Sequence, residues 1–148
     1  MTSKDRVLER ERQRGKAAAL ALQSRADTMS GTELYAAADD IPAFAAACRT
    51  NMLERPVGFV CRSSAGRVVS LLQPYDSSVY AQEPEELPAQ WGFKWSQRPE
   101  DALPFVALST SPYMMGDCCT EDGKPYRSTA DNNVWAPSAY PSGWEEIT

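Results

Sequence analysis

Histidine is absent from the 148 residues. That excludes a Ser-His-Asp or Cys-His nucleophile pair, imidazole acid/base chemistry and any His-ligated zinc. No run approaches the roughly 18 consecutive apolar residues of a membrane helix, so no membrane partner is expected. The first fifteen residues are crowded with charge and lack a signal peptide's apolar core, which reads as a soluble chain made in the cytosol without an export signal. Glycine-rich phosphate loops are missing. Cysteine is confined to Cys48, Cys61, Cys118 and Cys119, with no Cys-x-x-Cys, and adjacent cysteines rarely supply two ligands to one tetrahedral ion. No metal and no cofactor are therefore expected. The cysteines read as small buried hydrophobes in reduced form, with a Cys61–Cys119 or Cys48–Cys118 bond open in an oxidising place. A net charge of -5 argues against a general phosphate-neutralising surface, so nucleic acid is not an expected partner.

What is present changes near residue 50. Hydrophobic residues make up 43% and charged residues 24%, a globular balance for one ordinary domain or two very small ones. Residues 4–28 hold no proline and mix Arg, Lys, Glu, Gln, Ala and Leu, which predicts a helix with ion pairs at three- and four-residue spacings. Only Val7 and Leu8 are large and apolar in its first half, whereas Ala17 to Leu22 is apolar nearly all round. Ser30-Gly31 reads as a break, and Thr32 to Asp40 as a second short helix ended by Ile41-Pro42. Heptads are not sustained, so a long coiled coil is not indicated. Two readings of this arm stand side by side: a helix packed on its own domain, or an anchor docked into a neighbouring subunit.

Beyond residue 50 the texture becomes Pro, Gly, Ser and aromatic. Val57-Gly-Phe-Val-Cys61 and Arg67-Val-Val-Ser-Leu-Leu72 read as strands around Ser63-Ser-Ala-Gly66. Asp117-Cys-Cys-Thr120 and Lys124-Pro-Tyr-Arg-Ser128 repeat the arrangement around Glu121-Asp-Gly123, a hairpin signal. The parallel continues without gaps from Gln82-Glu-Pro-Glu-Glu-Leu-Pro-Ala-Gln-Trp91 to Trp135-Ala-Pro-Ser-Ala-Tyr-Pro-Ser-Gly-Trp144, at an offset of 53. Upstream, Gly58 falls on Gly116 and Cys61 on Cys119 at 58, and Gly66 on Gly123 at 57. Each copy reads Gly, strand, Gly turn, strand, variable loop, then Pro-x-x-x-Pro-x-x-Trp. Two short strands bury little, so Trp91 and Trp144 are expected to close each unit, with Gly58, Gly116 and Gly123 structural beside them. Trp135, Tyr140 and Tyr126 cluster in the second copy, where they either pack beneath a loop or form an exposed stacking platform.

The pattern Tyr113-Met-Met-Gly116-Asp117, Gly123-Lys-Pro-Tyr126, Trp135-Ala-Pro and Pro141-Ser-Gly-Trp144 resembles the small chitin-binding-type carbohydrate-binding modules of families 5 and 12. Related modules occur in structural proteins of tailed bacteriophages. The resemblance covers residues 113–147 well and 56–91 more loosely, with Phe59 in place of the Asp, and does not reach residues 1–46. It implies compact antiparallel sheets of about three strands, no catalysis, and sugar rings stacked on exposed aromatics. Trp135 and Tyr126 would be the stacking residues, with Tyr140 in support. Chitin binders carry adjacent aromatics straight after the second strand, where this chain has Ser128-Thr-Ala-Asp131; the phage versions show a similar loss.

The resulting expectation is an α+β chain: a helical arm or anchor over 1–46, a first β-module over 47–97 and a second over 98–148. Carboxylates at Asp117, Glu121, Asp122, Asp131, Glu145 and Glu146 fall on turns, strand ends and the terminus, and modules this small offer no deep cleft to raise a carboxyl pKa, so no enzyme is expected. The leading functional expectation is a bacteriophage virion component, a tail or baseplate decoration or a head fibre. It would be held to other virion proteins through residues 1–46 and present in many copies, as a homo-oligomer or within an assembly, so that weak contacts multiply. The alternatives are an adhesin for host cell-surface polysaccharide, and a purely architectural adaptor that binds no sugar.

Overall fold

The computed structural model describes residues 2–148. Helix α1 spans Ser3–Arg25 and opens with a capping box, in which Thr2 Oγ1 accepts from the Asp5 N–H and the Asp5 carboxylate accepts from the Thr2 N–H. Ser30 and Glu33 build the same device at α2, Gly31–Ala36. The expected second helix to Asp40 is therefore shorter; its last residues, Ala38–Asp40, tighten into a 3-10 turn before Ile41. A further short helix, α3, covers Phe44–Ala47.

Two sheets follow. β1 (Val60–Arg62), β2 (Val68–Leu71) and β3 (Trp91–Phe93) form an antiparallel sheet in that order. β4 (Leu103–Pro104), β5 (Cys118–Glu121), β6 (Lys124–Ser128) and β7 (Trp144–Glu146) form the second. The α+β expectation holds. The second sheet departs from a purely antiparallel trio because β4 pairs in parallel with β5. The β5–β6 turn is the two-residue Asp122-Gly123 with φ of 51° and 78°, the left-handed pair that a type I′ hairpin requires.

The sequence offsets reappear as register. Shifting β1 by 58, β2 by 57 and β3 by 53 carries the pairs of the first sheet onto those of the second, Cys61↔Val69 onto Cys119↔Tyr126 and Leu71↔Trp91 onto Ser128↔Trp144. Gly58 and Gly116, at φ of 92° and 95°, donate their N–H groups to Leu71 O and Ser128 O at 2.8 and 2.9 Å. Phe44 meets Trp91 edge-on at 6.0 Å, as Phe105 meets Trp144 at 6.1 Å. That second correspondence was not visible in the sequence, because Phe44 lies in the arm and reaches β1 only through the parallel bridge Ala43↔Arg62.

Alternation along the strands sets two cores. Cys61, Val69 and Leu71 face one way, into a buried cluster that also takes Trp91, Trp95, Tyr113, Cys119 and Trp144, so residues of both sheets share one interior. An aromatic series runs through it: Trp95 stacks on Tyr113 at 4.1 Å, Tyr113 on Phe105 at 5.4 Å, and Phe105 meets Trp144. Val60 and Val68 face the other way and are covered by Leu22, Ala26, Leu34 and Ile41 of the arm. Polar ties fix that layer. The Gln23 side-chain amide donates to Val60 O at 2.7 Å and accepts from Val60 N–H at 3.0 Å, acting as a strand neighbour on the open edge of β1. Tyr35 Oη donates to Lys94 O at 2.9 Å and accepts from Val68 N–H at 3.2 Å, and burial pushes its hydroxyl pKa up to about 12. The two readings of the arm thus divide within it: residues 22–46 belong to the folded body, while in α1 only Leu22 is buried.

Candidate functional site

The loop between β6 and β7 carries Asn133, a fully buried polar residue whose backbone pairs with Tyr113 at 2.9 and 2.8 Å. Its Nδ2 donates to Gly143 O (2.9 Å) and Ser128 Oγ (3.1 Å), and its Oδ1 accepts from the Trp135 N–H (3.3 Å). Trp144 Nε1 then donates to Trp135 O at 2.8 Å. Farther along, the Glu121 carboxylate accepts from the Ser138 N–H (2.9 Å) and Oγ (3.1 Å), which ties the loop to the β5–β6 hairpin. Trp135 is thereby held through its own N–H and C=O by two buried side chains, yet the residue is 54% exposed.

Tyr140 stands against it, ring centroids 5.5 Å apart and planes at 78°, and the two rings with Ala139 line an open recess of ≈ 360 Å³. Gly143 makes room for this, since a Cβ there would overlap the Tyr140 ring. Of the three expected stacking residues, the fold brings Trp135 and Tyr140 together. Tyr126 lies on β6 opposite Cys119, half-buried against the shared core, and does not line the recess. Trp91 and Trp144 are buried as expected, and so is Trp95, which sequence reading passed over. Of four tryptophans only Trp135 is exposed. No local signal separates Trp135 from the others, because its place two residues beyond Asn133 matters only once Asn133 is buried and takes the Trp135 amide as a partner.

The neighbouring carboxylates brace loops. Asp117 accepts from the Met114 N–H at 2.8 Å and Asp131 from the Met115 N–H at 2.9 Å, fixing the turn before β5. Burial, with the Asp131 charge adding to it, raises the Asp117 pKa. The cysteines are free thiols, Cys61, Cys118 and Cys119 buried and Cys48 half-buried; burial pushes the Cys119 thiol up to about 12. Among the described residues no group of three or more Cys, Asp or Glu is arranged to hold a metal ion, and no helix is long and apolar enough to cross a membrane. No protein-family model, curated protein or solved structure matches the chain.

Proposed function

We propose that the chain is a non-enzymatic display protein that stacks polysaccharide on Trp135 and Tyr140, as a component of a tailed-bacteriophage particle anchored by α1. The observation that carries the sugar-binding reading is the Trp135 ring, open to solvent on a backbone fixed from both sides. A platform already immobile loses little entropy when a sugar ring settles on it. Its large exposed apolar face otherwise costs contact with water, which marks a binding patch. The shared offsets of register in the two sheets support reading them as tandem modules of one ancestral kind. The structural work done by Asp117, Glu121 and Asp131 supports a binding role over a catalytic one. The setting in a virion, with the chain anchored to other virion proteins, rests on the resemblance of the Tyr113–Asp117 and Pro141–Trp144 motifs.

Tryptophan fluorescence tests this directly, because the other three indoles are buried. Titration with chitin oligosaccharides or fragments of host cell wall should shift emission to the blue and protect against iodide quenching. Trp135→Ala should abolish both responses and the retention of the protein on cell walls, while Trp135→Tyr, which lacks the reporting indole, should keep part of the retention. Unchanged retention by Trp135→Ala would overturn the stacking role and favour an architectural adaptor.

A further inference from the structure

Helix α1 runs past the body. Residues 3–8 and 10–17 are exposed, a projection of about 20 Å, and helices of this length are marginal in water without a packing partner. The helix carries seven basic and three acidic side chains, a net charge of +4, so the rest of the chain carries -9 of the total -5. Where the helix leaves the body a groove of ≈ 480 Å³ opens beside it, lined by Gly15, Ala19, Leu20, Asp39, Asp40 and Pro42. Neither Asp39 nor Asp40 forms an ion pair among the described residues. Leu8, Arg12, Gly15 and Ala19 follow one another at spacings of four, three and four, so the face that lines the groove continues outward through Leu8 and Arg12. There nothing in the chain covers it: Leu8 is 52% exposed.

We infer that the groove receives the projecting half of α1 from a second copy of this chain, in an antiparallel pair about a twofold axis near Gln13 and Arg14. Deepening the reading of α1 as the anchor, this names the subunit it holds. In that arrangement Leu8 of each copy falls opposite Ala19 and Leu20 of the other, apolar on apolar. Arg12 falls opposite Gly15 and Lys16, beside the partner copy's Asp39 and Asp40. The contact is self-complementary, so both grooves fill at once and the assembly closes as a dimer. Arg55 and Arg62 also line the groove, bonded to Ala47 O and Ile41 O at 2.9 Å each, and meet the acidic side chains that α1 carries at Asp5 and Glu9. Gly15 fits close to the axis: a Cβ there would meet nothing within 4 Å in its own chain, and a mid-helix glycine costs about 1 kcal/mol against alanine without some closer approach.

Light scattering on the full chain after size exclusion is the test, with circular dichroism to verify folding, since Leu8 and Arg12 are exposed in the monomer. The intact protein should have twice the 16.3 kDa chain mass at about 100 μM. Leu8→Glu should be monomeric, and Arg12→Glu should dimerise about tenfold more weakly. Asp39→Arg with Asp40→Arg should restore the dimer in the Arg12→Glu background. A monomeric intact chain, a dimer untouched by Leu8→Glu, failure of the charge swap to restore dimerisation, or co-purified nucleic acid displaced by salt in place of a dimer would each overturn the inference. Sugar titration of the same samples reads Trp135 separately, so loss of the dimer with binding intact leaves the stacking reading standing.

Discussion

Substituting Asn133 by aspartate tests the account of how Trp135 is held. The two side chains have the same shape, so packing is preserved and only the Nδ2 donors are lost. In their place a carboxylate oxygen would face Gly143 O and Ser128 Oγ, at positions now 2.9 and 3.1 Å from nitrogen. Ser128 Oγ already donates to Ala130 O at 2.7 Å, and could turn to the new oxygen only by giving up that bond. Each buried hydrogen bond is worth about 1 kcal/mol net, and an unpaired buried charge adds several more. Asn133→Asp should therefore cost about 3–4 kcal/mol at neutral pH. Asn133→Ala, which loses the same bonds and the 3.3 Å acceptor contact to Trp135 without burying a charge, should cost about 2–3 kcal/mol. For a chain of this size that is a fall in melting temperature of about 4–16 °C across the two variants. Urea unfolding followed by tryptophan emission gives both values. The aspartate variant should recover part of its loss as pH falls, because the protonated form is neutral and regains a donor. Aspartate tolerated within about 0.5 kcal/mol while alanine is not would show that the Nδ2 bonds do not hold the loop.

Two further perturbations probe the body. Arg67 is buried, with Nη1 3.2 Å from Glu85 and Nη2 donating to Pro104 O at 2.7 Å, so it ties the start of β2 to the segment before β3 and to β4. Glu85→Ala should destabilise by about 3 kcal/mol in urea because a buried guanidinium loses its counter-charge, and Glu85→Gln, which keeps an acceptor, by less. An equal loss in both would mean that charge is not the issue. The raised Asp117 pKa contributes stability that is fully present below the unfolded value near 3.8 and is lost as pH rises through the higher folded value. Asp117→Asn keeps an acceptor for Met114 and should gain on the native chain over that rise. A native chain that instead gains on the variant as pH rises would contradict the assigned direction.

Much of the local structure was legible from local chemistry. Asp122-Gly123 is read as a hairpin turn because few other residues accept positive φ in succession. Ser30 with Glu33 is a capping box written in four residues, so the break at Ser30-Gly31 is the start of α2. Trp91 and Trp144 were legible as closures because units of two strands have no other large side chain so placed. The site was half legible: aromatic clustering marked Trp135, Tyr140 and Tyr126 alike, and nothing local separated the half-buried Tyr126 from the exposed Trp135. Gln23 on the edge of β1, the bridge from Ala43 and the parallel strand β4 were not legible, since each is a contact between segments distant along the chain.

By itself, then, the sequence determined the α-to-β change near residue 50, the hairpins, their matching offsets and which types of side chain would be buried. Those depend on backbone preferences and alternation within a few residues. Only the tertiary structure decided that the sheets share one aromatic interior, that the arm is half body and half projection, and that Trp135 faces water. Burial of a given ring depends on what distant chain lies opposite it. Tyr126 has the core across from it, and Trp135 has solvent.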